Sequence, residues 1–244
     1  NIDNSFGGTL GGFSVSHNTT VSHVYIHDTD SVDQAHTSEM TTDTLTADPT
    51  LQVWSHGYDA WGNWISLVTV DWSGTGALAG DVAPTSGSNT TTLTADLVGT
   101  GTFSADHATA ADDTTGTITI TPGTAATWSV DWTSATTPVT AGDDFGITVT
   151  ALDADGNVAT GFTGSQAIAF AWTGATTAPD TTTTPKELAD TNYTFSAGVY
   201  TSPATAFALY NDAYTAAYVT VTGSGLTGDT TSTLAVDPAA ADHY

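Results

Sequence analysis

The residues with the most chemical potential are the aspartates of the segment Asp153-Ala154-Asp155-Gly156-Asn157. Two closely spaced carboxylates and an amide supply the hard oxygen ligands that calcium takes, and glycine permits the sharp turn that gathers them. No distal glutamate follows to complete such a site, and Asp and Asn flanking Gly are ordinary hairpin chemistry. The segment is therefore expected to be a turn first, with Ca2+ at Asp153, Asp155 and Asn157 as the sharper alternative. Asp28/Asp30/Asp33, Asp112/Asp113 and Asp143/Asp144 are further acidic clusters, expected as solvated loop carboxylates or as calcium sites that stiffen joints. Histidines concentrate early, at His17, His23, His27, His36 and His56. His23 and His27 share a strand face, a geometry open to a transition metal, although sheet-surface side chains are the simpler reading.

Aromatic residues form the second candidate group. Trp54, His56 and Tyr58 stand in the opposite phase from Leu51 and Val53, and Trp61 and Trp64 follow at a turn. Such a face predicts a subunit interface, a platform on which sugars stack, or a surface covered by residues 1–40 or by a second domain. Trp72 and Trp172, in phase with Val70 and Phe170, are expected as equivalent core anchors. For catalysis the chain offers Ser, His and Asp in plenty but no nucleophile elbow and no opposed carboxylate pair, so an enzyme is not expected.

These groups must be positioned by strands. The 244-residue chain carries 26 acidic residues against one basic residue, Lys186, for a formal net charge of −25, and no cysteine. The charge excludes nucleic acid and anionic membrane surfaces as direct partners. The missing cysteine excludes disulfide scaffolds, thiolate metal sites and cysteine nucleophiles. A single lysine also excludes an isopeptide bond in each domain. No apolar run reaches the length of a membrane helix, so direct membrane insertion is not expected. The first residue, Asn1, and the missing leader pattern suggest a processed or excised segment. Threonine is abundant and glutamate is confined to Glu39 and Glu187, which favours strands and turns over helices. Period-two alternation at 51–54, 68–72, 145–149 and 168–172, broken by Gly, Pro, Asp and Asn, predicts an all-β chain of antiparallel sandwiches.

The chain also repeats. The sequence TADPTLQVWSHGYDAWGN (46–63) aligns without a gap on TAGDDFGITVTALDADGN (140–157), and VDWSG (70–74) on FAWTG (170–174). A third element, FSVSHNTTVSHVYI (13–26), ITITPGTAATWSVD (118–131) and LAVDPAAADHY (234–244), reads as a last strand, a short linker and a new first strand. The expected organisation is residues 1–18 as an extra N-terminal strand, 19–121 as the first sandwich, 124–237 as the second, and 238–244 as a linker into the next strand. Leu10, Phe13 and Val15 would then pair either with a preceding domain or with a neighbouring chain by strand addition. The sequons at Asn18, Asn89 and Asn192 would accept glycans on a secreted protein.

The segment VTALDADGNVATGFTG (149–164), with its D-A-x-G-N turn and T-G-F-T-G continuation, resembles the tandem immunoglobulin-like (Big-type) repeats of bacterial and archaeal cell-surface proteins. Residues 51–73, with Tyr58 to Asn63 and Val70 to Ser73, look like the repeats of adhesins and of S-layer or filament proteins. The resemblance covers about two thirds of the chain. It implies two tandem Ig-like sandwiches in an extracellular, non-enzymatic filament, sheath or adhesin stalk, with self-association as a homopolymer or neighbouring Ig-like domains as partners. A carbohydrate-binding module built on the aromatic face is the alternative.

Overall fold

The computed structural model describes residues 19–32, 38–47, 49–211 and 216–240. The chain is all-β: apart from one 3-10 turn at Gly76–Leu78, every regular element of the described residues is a strand. No helix among them is long and apolar enough to cross a membrane. The expected N-terminal strand with Leu10, Phe13 and Val15 lies outside the described residues, as do Asn18, His17, Asp33 and His36.

The first eleven strands are β1 (His23–His27), β2 (Asp43–Thr46), β3 (Thr50–Tyr58), β4 (Trp64–Leu67), β5 (Asp71–Gly74), β6 (Val82–Ala83), β7 (Thr90–Thr94), β8 (Gly99–Gly101), β9 (Phe103–Asp106), β10 (Asp113–Thr114) and β11 (Ile118–Thr121). They are followed by β12 (Thr127–Trp132), β13 (Val139–Thr140), β14 (Asp144–Phe145), β15 (Ile147–Leu152), β16 (Gly164–Thr173), β17 (Thr191–Phe195), β18 (Val199–Thr201), β19 (Phe207–Ala208), β20 (Tyr218–Gly223), β21 (Leu226–Thr230) and β22 (Val236–Asp237). The described residues form two compact units, one within 19–44, 50–94 and 99–119, the other within 45–49, 95–98 and 120–240. Each gathers its sheets around its own buried apolar residues.

Sheets of the first unit run β1-β3-β7-β6, with β4 also on β3, and β10-β9-β5; a further sheet runs β2-β11-β8. In the second unit the path is β17-β16-β20-β21-β12-β15-β18, with the short pairs β13-β22 and β14-β19 beside it. Alternation decides which face is buried. In β15 the residues Ile147, Val149 and Ala151 point inward while the threonines between them point outward, and β11 buries Ile118 and Ile120 in the same way. The inner residues of the second unit, including Trp128, Val130, Phe170, Phe195, Phe207, Val219 and Val221, form one apolar cluster. Each large side chain buried there contributes about 1.5 to 3 kcal/mol. In the first unit Val24, Ile26, Val53, Trp72, Leu93 and Phe103 are equally buried.

Pairing registers show that the units are two versions of one design. His23 lies opposite Tyr58 and His27 opposite Trp54, as Thr127 lies opposite Leu152 and Asp131 opposite Thr148. Both first strands open with a parallel bridge to the end of their own unit, His23 to Ala111 and Thr127 to Thr227.

Candidate functional site

The repeated turn is the most complete piece of polar engineering in each unit. At Tyr58 to Asn63, the buried Asp59 accepts at Oδ1 from Trp61 N (2.9 Å) and Asn63 N (2.9 Å), and Asn63 Nδ2 reaches both carboxylate oxygens. At Leu152 to Asn157, the buried Asp153 accepts at Oδ1 from Asp155 N (3.1 Å) and Asn157 N (2.8 Å), again with Asn157 Nδ2 on both oxygens. Gly62 and Gly156 occupy the left-handed region at φ +81° and +86°, which closes the turn at little cost only for glycine. Within the second unit Asp153 Oδ2 also takes Gly123 N (2.9 Å), while Asn157 donates to Asp96 O and accepts from Val98 N.

This geometry favours the turn over the ion. The lone pairs of Asp153 that calcium would need are directed at N–H donors, and Asp155 is exposed. No group of three His, Cys, Asp or Glu side chains suited to a metal occurs among the described residues. Burial alone would raise the Asp153 carboxyl, but the hydrogen bonds from Gly123, from the Asn157 side chain and backbone, and from Asp155 outweigh it and hold the group below the ordinary carboxylate range. Asp28, Asp30, Asp112, Asp143 and Asp144 are exposed, and Lys186 Nζ lies 2.9 Å from Asp144 Oδ1.

The expected aromatic face is only partly at the surface. Trp54 and Trp64 are half-buried and Trp61 is 77% exposed, but His56 and Tyr58 are fully buried. The alternation that places these residues opposite Leu51 and Val53 holds, and of the expected readings it is cover from within residues 1–40 that buries His56 and Tyr58, so that β3 is covered on both faces. The cover comes from β1 and the loop after it: His27 stacks on His56 with ring centroids 4.2 Å apart, and His56 Nε2 lies 2.9 Å from Thr29 O. His27 Nδ1 sits 2.8 Å from Ser38 Oγ, and its Nε2 faces Tyr58 Oη at 3.3 Å. Both nitrogens of the His27 ring are thus engaged by protein groups, and His23, on the same strand face, stacks on Tyr25, whose ring meets Tyr58 edge-on.

The two tryptophans expected as equivalents are not. Trp72 is buried, pairs with Ala105 and packs on Phe103, whereas the position of the second unit that matches it in register is Phe170, buried and opposite Val221. Trp172 lies two residues further along β16, half-buried, with its indole stacked on Trp132 and its Nε1 donating to Lys186 O at 3.1 Å.

A second repeated device escaped the sequence reading. Asp113 Oδ2 accepts from Ile26 N at 2.8 Å, and Asp229 Oδ2 accepts from Val130 N at 3.0 Å, so a carboxylate replaces a ladder partner where the first strand parts from its parallel neighbour. Two residues on, the buried Thr115 and Thr231 accept at Oγ1 from Phe103 N and Val219 N, and return their own N–H to the same residues' carbonyls. The shared string Asp-Thr-Thr-x-Thr at 113–117 and 229–233 is the signal that reveals it. Burial outweighs the hydrogen bonds at Asp113 and raises its carboxyl above the ordinary value.

Of the sequons, Asn89 is half-buried and its carbonyl accepts from Ser55 N, while Asn192 is exposed on β17.

The sequence matches no protein-family profile and no curated protein. Among solved structures it is similar to a β-glucuronidase of Parabacteroides merdae, with 13% identity over 87% of this chain and 24% of that one and a TM-score of 0.32. It is similar to the Yersinia pseudotuberculosis adhesin InvE, with 17% identity over 78% of this chain and 56% of that one and a TM-score of 0.31. InvD of the same organism gives 25% identity over 80% and 55% of the two chains, also at 0.31. The chain thus spans about a quarter of the glucuronidase and a little over half of each Yersinia protein. Superpositions this loose transfer no residue and no activity.

Proposed function

We propose that this chain is a structural, non-enzymatic building block of an extracellular surface assembly, a filament, sheath or adhesin stalk in which Ig-like units follow one another head to tail. The observation that carries the reading is the recurrence, unit by unit, of the same first-strand register, parallel opening bridge, aspartate clamp and Asp-to-Asn turn. A design repeated in its scaffold, each copy closing its own core, supplies length and stiffness rather than a reaction centre. In the second unit β13 pairs in parallel with β22, Val139 opposite Val236. Tension along the chain then loads those bonds together in shear. A net charge of −25 keeps lateral aggregation down, and divalent cations such as calcium are the means by which such surfaces are bridged.

Sedimentation of the purified chain across a concentration series, with calcium and then with a chelator, tests the assembly. Long polymers are expected; a monomer under both conditions would reduce the reading to a spacer within a longer protein. One observation favours a second reading, carbohydrate binding: Trp61 stands exposed at the tip of a turn whose backbone is locked by Asp59. That reading predicts saccharide affinity lost in Trp61→Ala, and an unchanged isotherm removes it.

A further inference from the structure

We propose that Asn192 is an N-glycan acceptor in the folded protein, and that the fold itself separates it from the other described sequon, at Asn89. Asn192 lies on β17, which among the described residues pairs only with β16, Ala167 standing opposite Asn192 and Ser165 opposite Thr194. Tyr193 between them turns inward, its ring against Phe170 and its hydroxyl donating to Ala189 O at 2.6 Å. Alternation therefore puts Asn192 and the hydroxyl of Thr194 on the opposite face, where both are exposed. A shallow groove lined by Ala167, Ala169, Thr191 and Ser224 opens beside the asparagine.

The same tripeptide pattern at Asn89 is locked. Ser55 N donates to Asn89 O, Val70 and Ser88 bridge, and Thr90 Oγ1 donates to Val53 O. The required hydroxyl, on Thr91, is buried and donates to Pro84 O at 3.0 Å, and β7 is held between β3 and β6. An enzyme reaching Asn89 must dismantle a central strand, whereas at Asn192 it has only to lift an edge. Asp190, two residues before Asn192, is exposed while one of its carboxylate oxygens accepts from Phe170 N at 3.0 Å; Gly87 stands in that place before Asn89. A glycan on β17 would also cover an open sheet edge, the feature through which strands of separate molecules pair.

The transfer forms a bond between Asn192 Nδ2 and the anomeric carbon of a lipid-pyrophosphate-linked oligosaccharide. It breaks the bond from that carbon to the phosphate oxygen, releases the lipid pyrophosphate and passes one amide proton to a carboxylate of the transferring enzyme. The test incubates the folded 244-residue chain with a bacterial-type oligosaccharyltransferase and a lipid-linked oligosaccharide of known mass, and maps the added mass by peptide. Asn192 is expected to be occupied and Asn89 bare; Asn192→Gln and Thr194→Ala each lose the modification at this site completely, and Asn89→Gln changes nothing. Modification of Asn89 in the folded chain overturns the proposal. So does a bare Asn192, whether a peptide spanning residues 188–196 reacts in the same tube, which would show that the fold hides the site, or fails to react, which would show that the sequence is no acceptor.

Discussion

The two Asp-to-Asn turns share their interior and differ at their tips. Asp59 and Asp153 are both buried, both accept from the second and fourth residues after them, and both are flanked by an asparagine whose amide closes the ring. The exposed tip between them is Trp61 in one turn and Asp155 in the other. The same division runs through the units: the backbone clamps of Asp113 and Asp229 recur, while the positions of the buried His27 and His56 of the first unit are held by Asp131 and Thr150 in the register of the second. What recurs satisfies backbone groups that any sandwich of this register must satisfy. What differs is free of that demand and is where the two units can acquire separate roles.

The sharpest way to break the equivalence of the units is at their anchors. Trp72→Ala and Phe170→Ala are expected to cost about 3 to 5 kcal/mol each, because both open a cavity in a closed core. Trp172→Ala, from a half-buried site, is expected to cost about half as much on the same scale. Urea unfolding with separate fluorescence and near-ultraviolet signals measures all three. A Trp172→Ala loss equal to that of Phe170→Ala would restore Trp172 as the true counterpart of Trp72.

That shift of two residues marks the limit of what the sequence could show. The all-β class, the repeat and the turn were legible because alternation, glycine and the D-A-x-G-N string act locally. The register of β16 on β20 was not, since Phe170 and Trp172 are both aromatic, in phase and equally suited to a buried face; only pairing with Val221 selects between them. The burial of His56 and Tyr58 was one of several readings that the alternation left open, for a related reason. A strand covered on both faces carries the same alternation as a strand covered on one, and the cover arrives from β1, more than twenty residues away in sequence. The Asp113 and Asp229 clamps were written in the repeated Asp-Thr-Thr-x-Thr string, but their chemistry depends on a first strand at the other end of the unit.

The turns come next in expected size. Asp59→Ala leaves two backbone donors and an asparagine amide without their acceptor, Asp153→Ala leaves these and Gly123 N as well, and each is expected to cost about 2 to 3 kcal/mol. Equal losses would confirm that the tip is irrelevant to the lock. A loss below about 0.5 kcal/mol at either site would mean that the backbone bonds, Asp59 N to Asn63 O and Asp153 N to Asn157 O, hold the turn by themselves.

Smaller effects come from pH, where Asp153 and Asp113 have opposite signs. The folded-state value of Asp153 is depressed, so its contribution is present above the unfolded value of about 3.9 and is lost as pH falls through the folded value. The folded-state value of Asp113 is raised, so its contribution is fullest below about 3.9 and is eroded as pH rises through the folded value. Asp153→Asn is expected to destabilise at pH 7 and to shrink the acid limb of the stability curve. Asp113→Asn keeps an oxygen for Ile26 N and is expected to match or exceed the wild type at pH 7, by about 1 kcal/mol or less given solvent access at the site. A destabilised Asp113→Asn at pH 7, whose deficit disappears as pH falls through the carboxylate range, would assign the clamp to charge rather than to a neutral acceptor.

The smallest stability effect is expected at the tip, and it is the most informative about role. Trp61 is 77% exposed, so Trp61→Ala removes almost no buried area and is expected to change the unfolding free energy by less than about 0.5 kcal/mol. Its indole nevertheless presents a large apolar face on a backbone that cannot yield, because Trp61 N and Asn63 N are both held by Asp59. A rigid aromatic loses little freedom when a partner closes on it, so any partner that uses it should feel its removal strongly. Sedimentation and saccharide titration of Trp61→Ala, with Asp155→Ala as the matched change on the second unit, separate the possibilities. Loss of polymer in the first variant alone places a joint at this turn, and loss of saccharide affinity alone makes it a binding platform. No change in either would leave Trp61 as a tip that differs from Asp155 simply because nothing in the lock beneath it requires them to agree.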